Sequence, residues 1–468
     1  MGDSAERGKQ AQGLPWAVAS QTSHSIDLDA LLDAQPLGTS HIIIGVVLTL
    51  IMLIDGYTLS IVSVLLPAIA RSMHTAAAAL TAVVVAQQAG LLVGLTAIGP
   101  LSDRFGRRRM LLTCLCVVAV LISLVSQVRA PLPLAGLCFA SAMFSSAIIP
   151  NSVTLALESA PKRLQASAIA LVFTGYSCGP LIGASVLVQI SESLDWRMGF
   201  YIGVLLIVAT VPLAWLLLPE SVRYLVARDA GDPRIVETLK RMHRQLTFNG
   251  SERFHRSESA RGRGRGSPWP DIRDEEAKLL LLFCGAYFMS FIANRITSSW
   301  QTTVLIEGAH VPVARVGLIV FLSTLGGIVA SLLTGVFMDR LGAARVLVVF
   351  FLLTAAISIS LAVIELNSPL AILLYVAYAF AISIGLVGLN AFAALSFPAS
   401  MRVTAVAWAS GVGWFGGIIG PWVGGLMLSA SATRAANIYW VAALPAALAA
   451  VALYGISRRL QLRHTISA

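Results

Sequence analysis

Charged residues are scarce in this sequence, since Asp, Glu, Lys and Arg together make up only 12% of its 468 residues. Soluble globular proteins carry about 25% charged and roughly 45–50% apolar residues. This chain is 57% hydrophobic, and its mean hydropathy is +0.81. So little charge cannot cover a water-facing surface, and so apolar a composition excludes disorder of the whole chain. The composition therefore predicts an integral membrane protein.

The sequence also lacks residue patterns for metal, nucleotide or catalytic sites. Its five cysteines all lie in apolar runs, where we expect them to act as small hydrophobic residues. No histidine has a partner at metal-ligand spacing, and neither a phosphate-binding glycine loop nor a local Ser-His-Asp or paired-carboxylate pattern occurs. We therefore expect no metal, no cofactor and no enzymatic activity.

Twelve apolar runs of about 20 residues or more alternate with polar segments, and each is long enough to cross a bilayer as a helix. The predicted fold is an all-α integral membrane protein with twelve transmembrane helices in two six-helix bundles. The predicted spans are residues 40–69, 78–101, 110–128, 131–156, 164–189, 198–218, 279–305, 314–338, 345–364, 369–395, 403–428 and 437–456. The predicted domains are an N-terminal tail (1–39), a first bundle (40–218), a linker loop (219–278), a second bundle (279–456) and a C-terminal tail (457–468).

The Lys and Arg residues are distributed unequally between the two sides of these spans. With both termini on one side, that side carries 27 Lys and Arg residues and the other side carries five. Even without the long central loop the ratio is 14 to five. The positive-inside rule then places both termini in the cytoplasm. We expect a multi-pass protein of the inner (plasma) membrane.

The central linker is polar and contains an Arg-Gly run at residues 261–266. Such a run can bind RNA, but a cationic loop next to anionic lipid is the simpler interpretation. We therefore expect a lipid bilayer but no nucleic acid as a partner. The start of the linker, residues 225–246, is predicted to form a short surface helix.

A sequence motif repeats after the second span of each half. Gly99-Pro-Leu-Ser-Asp-Arg-Phe-Gly-Arg-Arg-Arg109 has a shorter copy in Gly335-Val-Phe-Met-Asp-Arg-Leu-Gly342. Anchoring charges alone would explain the arginines but not the repeated Asp and Gly. Two repeated halves are typical of transporters, and the motif residues can form a latch between helices. We predict gating roles for Gly99, Asp103, Arg104, Gly106, Arg107, Asp339 and Arg340, together with Glu158 at the end of span four.

The sequence resembles the major facilitator superfamily of transporters, whose loop signature matches Gly99–Arg109. It resembles the aromatic acid:proton symporter branch at Asp55-Gly-Tyr57, Pro150-Asn151, Glu158, Pro219–Leu225, Ser298-Ser-Trp300, Gly388-Leu-Asn390, Arg402–Trp408, Gly411-Val-Gly413 and Gly420-Pro421. The resemblance implies proton-coupled uptake of an aromatic or related organic acid by a monomer that alternates its access between the two sides.

The sequence departs from this branch at several charged positions. Thr58 stands where members carry a second acid, and Cys138 and Trp414 stand where they carry arginines. Arg295, in contrast, adds a cation to span seven. We predict that Arg295 faces the cavity and pairs with the substrate carboxylate or with Asp55; the alternative is a boundary residue bonded to backbone carbonyls.

An acid within a membrane span is costly and marks proton or substrate pathways. Asp55 lies in the middle of span one and is predicted to carry the coupling proton; the alternative is a structural acid that joins two helices. The predicted substrate-binding residues are Tyr57, Thr58, Gln87, Gln88, Asn151, Asn294, Arg295, Trp300, Asn390 and Trp414.

Other functions stay open at this point. A symporter of a non-aromatic organic acid and an efflux antiporter of amphipathic compounds both fit the spans. A membrane sensor is a weaker alternative, because the linker is too short and polar to form a signalling domain.

Overall fold

The computed structural model describes residues 25–28, 31, 38–160, 164–193, 195–229, 231–242, 253–255, 274–397, 401–429 and 435–467. The described chain is almost entirely helical. The helices are α1 (Thr39–Ser72), α2 (Thr81–Ala97), α3 (Gly99–Phe105), α4 (Arg107–Val125), α5 (Pro131–Ser145), α6 (Ile148–Ser159), α7 (Gln165–Ser193), α8 (Arg197–Leu217), α9 (Val222–Arg228), α10 (Pro233–Met242), α11 (Asp274–Thr303), α12 (Val313–Leu341), α13 (Ala343–Val363), α14 (Pro369–Ser396), α15 (Arg402–Ser429) and α16 (Asn437–Ser467).

Twelve helical segments of the described chain are long and apolar enough to cross a membrane, which confirms the predicted number of spans. Span four consists of two helices, α5 and α6. The break between them precedes Pro150, which has no N–H to donate to the carbonyl four residues earlier. The last helix, α16, continues to Ser467, beyond the predicted end of span twelve at residue 456.

The two halves repeat the same helix packing. In the first half α1 packs against α7, α2 against α5, and α4 against α8. In the second half α11 packs against α15, α12 against α14, and α13 against α16. Two further pairs, α7 with α12 and α2 with α15, join the halves. The predicted fold of two six-helix bundles is confirmed.

Glycines allow the main helix pairs to approach closely in both halves. A Cβ atom on Gly56 of α1 would lie 2.1 Å from the carbonyl oxygen of Tyr176 in α7. A Cβ atom on Gly416 of α15 would lie 2.3 Å from the carbonyl oxygen of Phe288 in α11. Because lipid provides no hydrophobic drive between helices, this close packing is a main source of their association.

The linker between the halves carries short elements on one side of the bundle, which we call the linker side. A strand from the N-terminal region, β1 (Ser25–Asp27), pairs in parallel with a strand of the linker, β2 (Arg253–His255). The single surface helix predicted over residues 225–246 is divided into α9 and α10, and Pro233 begins α10 as the first helical residue, a position that suits proline. The Arg-Gly run at 261–266 lies outside the described residues.

Candidate functional site

A polar cavity of about 400 Å³ lies between the two halves. Helices α1, α2 and α7 of the first half and α11, α12 and α14 of the second half form its wall. Small-molecule sites have volumes of about 300–1,000 Å³ and combine apolar walls with a few polar groups. The cavity is therefore large enough for one small molecule that contacts both halves.

Four of the predicted substrate-binding residues line this cavity. Gln87 and Gln88 reach it from α2, and Asn294 and Arg295 reach it from α11. Gln87 also joins α2 to α1, because its Nε2 atom donates a hydrogen bond of 3.1 Å to the carbonyl oxygen of Leu59. The structure brings these four side chains to one site, and their role in binding remains a prediction.

Arg295 is a cation without a counter-ion in the described part of the chain. No described carboxylate lies within ion-pair distance of it, and its buried Nε atom has no hydrogen-bond partner there. Its guanidinium carbon lies 5.9 Å from the ring centroid of Trp414, and that ring packs edge-on against Phe291 at 5.4 Å. The Trp414 ring is thus within cation–π distance of the guanidinium group.

Further buried polar atoms of the cavity wall lack hydrogen-bond partners among the described residues. They are Oε1 of Gln88 in α2, Nε2 of Gln301 in α11 and the hydroxyl oxygen of Ser323 in α12. Buried polar groups are almost always hydrogen-bonded in native proteins, so unpaired ones call for a partner. Each of these atoms is itself shielded from the cavity space, although its residue contributes other atoms to the wall.

Asp55 lies within the first bundle, away from the cavity wall. Its side chain is 1% exposed, and its Oδ1 atom accepts a hydrogen bond from the hydroxyl group of Ser145 in α5. Its Oδ2 atom has no partner, and no Lys or Arg of the described chain is within ion-pair distance. Arg295 and Asp55 are thus not paired, although the next residue, Gly56, does line the cavity.

Three predicted substrate-binding residues of the first half lie outside the cavity wall. The Tyr57 hydroxyl group donates to the carbonyl oxygen of Gly199 in α8 at 2.6 Å, and the Thr58 hydroxyl group donates to the carbonyl oxygen of Asp55. The Asn151 amide donates to Ser102 Oγ at 2.9 Å. Tyr57 and Asn151 thus bond to neighbouring helices and Thr58 bonds within α1, so all three polar groups are paired within the first bundle.

Three more lie outside the wall in the second half. Trp300 is fully buried, and its indole N–H donates to the carbonyl oxygen of Pro421 at 2.9 Å. Asn390 accepts a hydrogen bond from the Tyr287 hydroxyl group at 2.9 Å, which joins α14 to α11. Trp414 contacts Arg295 instead of the cavity space. The rotation of each helix about its own axis determines which of its side chains face the cavity and which face a neighbouring helix.

The cavity wall also contains residues that the sequence analysis missed. Their signal was present, because Ser298, Gln301 and Thr302 follow Asn294 and Arg295 at the three- and four-residue spacing of one helix face. Helix α12 carries a similar stripe of small polar residues, and tyrosines contribute from α7 and α14. The further residues of this group are Tyr176, Ser177, Ser323, Thr324, Ser331, Tyr375, Tyr378 and Ser383.

On the linker side, predicted gating residues connect three parts of the first half. The guanidinium group of Arg107, at the start of α4, forms an ion pair with the carboxylate of Glu158 at the end of α6. The hydroxyl group of Ser221, which precedes α9, donates to the second oxygen of the same carboxylate. Glu158 therefore joins the repeated motif to the first residues of the linker.

The second glycine of each motif copy is at a turn between two helices. Gly106 has φ of +98° and Gly342 has φ of +85°, values that side-chain-bearing residues rarely adopt. At Gly106, the carboxylate of Glu220 accepts a hydrogen bond of 3.0 Å from the backbone N–H of Arg108 in the first turn of α4. The positive φ explains why glycine occurs at this position in both copies of the motif. Glu220 places negative charge at the N-terminus of α4, where it is favourable.

The remaining gating residues show fewer contacts. Arg104 provides its carbonyl oxygen to the Tyr224 hydroxyl group at 3.1 Å. Asp339 and Arg340 are exposed at the end of α12. Gly99 and Asp103 lie in α3, and the structure does not describe the side chain of Asp103. Their gating roles remain predictions.

On the side opposite the linker, the two halves touch at Thr81 and Gly425. A Cβ atom on Gly425 of α15 would lie 2.0 Å from the Oγ1 atom of Thr81 at the start of α2. The halves are therefore in direct contact near this end of the cavity. Among the described residues no cluster of three or more His, Cys, Asp or Glu side chains could hold a metal ion.

A polar cavity between two repeated six-helix halves is the architecture of a secondary transporter. The family model of the Major Facilitator Superfamily matches residues 48–285 and 283–465. The chain belongs to this superfamily and is a membrane transporter, which confirms the family resemblance of its motifs.

Similar proteins include carriers of aromatic acids. The gallate transporter of Pseudomonas putida is 30% identical over 429 residues, which cover 92% of this chain and 94% of the relative. The 4-hydroxybenzoate transporter PcaK of Acinetobacter baylyi is 27% identical, covering 95% of this chain and 97% of the relative. The inward-open xylose transporter XylE from E. coli has a TM-score of 0.70 at 17% identity, covering 88% of this chain and 95% of that chain; this likeness shows the fold alone.

Proposed function

We propose that this transporter is a proton-coupled symporter that imports an aromatic acid by alternating access. The observation that carries the proposal is Arg295, a cation without a counter-ion in the wall of the cavity between the halves. An arginine in a membrane span costs at least about 2.5–3.5 kcal/mol at the helix centre. A substrate carboxylate would offset that cost, since guanidinium and carboxylate groups form paired, charge-assisted hydrogen bonds.

The rest of the wall supports an aromatic substrate. Tyr176, Tyr375 and Tyr378 contribute to this wall, and Tyr176, the most exposed of the three, can pack against an aromatic ring. Gln87, Gln88 and Asn294 offer amide groups that can donate or accept hydrogen bonds. The gallate and 4-hydroxybenzoate transporters among the similar proteins support the same substrate class.

Asp55 is the proposed site of the coupling proton. It lies on α1 next to Gly56, and the same helix lines the cavity with Leu59 and Ser60. A change in the bond between Asp55 and Ser145 can therefore alter how α1 packs at the cavity. If the protonated form favours substrate binding and reorientation, the proton gradient drives uptake through the difference in affinity between the two states.

The proposed orientation puts the linker side and both termini in the cytoplasm, with the protein in the plasma membrane. The excess of Lys and Arg on that side supports this orientation. The ion pair of Arg107 with Glu158 would then belong to a cytoplasmic gate that breaks and re-forms during transport.

Uptake by the purified full-length protein in proteoliposomes tests this proposal. Radiolabelled 4-hydroxybenzoate, benzoate, a non-aromatic dicarboxylate and an amphipathic cation are offered with and without an inward proton gradient. We expect accumulation of the aromatic acids above equilibrium only with the gradient. Accumulation of the dicarboxylate alone, or loss of the preloaded cation driven by inward protons, would contradict the proposal.

A further inference from the structure

We infer that Tyr176 of α7 links substrate binding at Arg295 to the protonation of Asp55. This inference rests on the proposed function and adds the route by which the two sites influence each other. It starts from the position of Tyr176, which lines the cavity together with Arg295 and packs against the backbone beside Asp55.

The backbone of Tyr176 is fixed against α1 directly beside Asp55. A Cβ atom on Gly56 would lie 2.1 Å from the carbonyl oxygen of Tyr176, so no side chain separates the two helices at this point. Further along α7, a Cβ atom on Gly179 would lie 2.2 Å from the backbone nitrogen of Tyr57. Glycines on both helices therefore hold Tyr176 next to the residue that follows Asp55 in the chain.

The hydroxyl group of Tyr176 is open to the cavity. The side chain is partly exposed, and its hydroxyl oxygen is not among the shielded unpaired atoms of the described chain. The two tyrosines that line the other half differ from it. Tyr375 shares a hydrogen bond with Tyr439, and Tyr378 donates to the carbonyl oxygen of Ala293 at 2.9 Å. Of these three cavity tyrosines, Tyr176 has the hydroxyl group that no described partner holds, so it can turn.

Tyr176 interacts electrostatically with both Arg295 and Asp55, whereas these two charges do not act on each other. The Asp55 charge also reaches the thiol of Cys114 in α4, and Ser145 of α5 is its hydrogen-bond donor. The other described elements packed against α1 place no charged side chain within ion-pair distance of Asp55. Tyr176 is therefore the described side chain through which the two charges can influence each other.

The orientation of this hydroxyl group determines which form of Asp55 is favoured. Hydroxyl dipoles turn in the field of the protein. Without substrate, the oxygen turns toward Arg295 and the proton toward Asp55, which favours the ionised acid. A substrate carboxylate at Arg295 cancels that positive charge and attracts the hydroxyl proton. The oxygen then faces Asp55 and favours the protonated acid, whose O–H group can donate. Substrate binding and proton uptake from solvent therefore support each other, and Tyr176 is a positioning residue that acts through Asp55.

The test is the pH dependence of benzoate binding by Tyr176→Phe, which keeps the ring and removes the hydroxyl group. Dissociation constants are measured by isothermal titration calorimetry on the purified full-length protein from about pH 6 to about pH 8, where a carboxylate of ordinary pKa stays ionised. The unaltered protein should bind more tightly as the pH falls, by at most about tenfold per pH unit for one linked proton. In Tyr176→Phe, binding should persist while this factor falls toward one.

Tyr378→Phe is the matched control, because it removes a hydroxyl group of the same wall that is bonded to a backbone carbonyl oxygen and does not interact with Asp55. It should keep the pH dependence of the unaltered protein. An unchanged pH dependence in Tyr176→Phe would overturn the inference alone, and so would an equal loss of affinity at every pH, which is the result of a merely structural role. If benzoate does not bind to the unaltered protein, or binds without pH dependence, the proposed function fails and this inference fails with it.

Discussion

The hydroxyl group of Ser145 donates a hydrogen bond to Oδ1 of Asp55, and this contact joins α5 to α1 inside the first bundle. The second carboxylate oxygen of Asp55 has no partner among the described residues. The acid therefore has a neutral neighbour that can bond to it both with and without its proton, since a hydroxyl group can donate and accept. This arrangement suits the proposed coupling role of Asp55.

Asp55→Asn should abolish accumulation driven by the proton gradient while the exchange of labelled for unlabelled substrate continues. The amide keeps the size of the side chain and can still accept from Ser145, but it cannot exchange a proton. Both activities are measured in the same proteoliposome preparation, with Ser145→Ala as the comparison; it removes the hydrogen-bond partner but keeps the carboxyl group, so accumulation should persist at a lower rate. Normal uphill accumulation by Asp55→Asn would refute the coupling role.

Gly106→Ala and Gly342→Ala should both lower thermal stability, and Gly106→Ala should lower it more. Both backbones have positive φ, which costs a side-chain-bearing residue about 1–3 kcal/mol. A Cβ atom at Gly106 would also lie 2.8 Å from Oε2 of Glu220, whereas a Cβ atom at Gly342 has nothing within 4 Å in the described structure.

The measurement is the midpoint of thermal unfolding of the detergent-purified protein, followed by tryptophan fluorescence. Because a Cβ atom at Gly342 meets nothing within 4 Å, the difference between the two variants reports the contacts of the Gly106 Cβ atom with Glu220 and with Tyr224, whose Cε1 atom would lie at 3.1 Å. Equal midpoints for both variants would show that Glu220 and Tyr224 move aside at no cost.

Gly425→Ala should slow transport, because the added Cβ atom would overlap the side chain of Thr81 and oppose contact between the halves. Gly411→Ala, in the same helix, is the matched control, since nothing lies within 4 Å of a Cβ atom there. Initial uptake rates in proteoliposomes, corrected for the amount of reconstituted protein, should fall for the first variant and stay unchanged for the second.

A compensating change makes this prediction stricter. Thr81→Gly combined with Gly425→Ala removes the side chain that is in the way and should restore part of the rate. No recovery in the double variant would mean that Gly425 affects transport through something other than its contact with Thr81.

The number of spans and their approximate limits could be predicted from the sequence, because a bilayer demands about 20 apolar residues for each helix. The rotation of each helix could not. Lipid tails are as apolar as leucine, so an apolar residue gives no indication of whether it faces lipid or another helix. The resemblance and the stacking expected of an aromatic substrate predict that Tyr57 and Trp300 line the cavity, yet both donate to backbone carbonyls of neighbouring helices.

Polar residues predicted the cavity wall better than aromatic residues did. Asn294 and Arg295 were predicted to face the cavity because polar groups avoid lipid, and both line it. Continuing their helical spacing along α11 would have added Ser298 and Gln301. The partner of Asn390 could not be predicted, because Tyr287 lies 103 residues away in the sequence and only the packing of α14 against α11 brings them together.

The proposed function is tested most directly by the dissociation constant of 4-hydroxybenzoate for Arg295→Ala. Loss of a charge-assisted hydrogen bond should weaken binding by about 1.5–3 kcal/mol, or roughly ten- to 150-fold, and Arg295→Lys should restore only part of it because lysine lacks the forked geometry. Arg315→Ala is the matched control, since Arg315 lies outside the cavity wall and bonds to the carbonyl oxygen of Asn367 at 2.9 Å. We expect a large loss of affinity for Arg295→Ala and unchanged binding for Arg315→Ala; unchanged affinity in Arg295→Ala would contradict the proposed binding of the substrate carboxylate by Arg295.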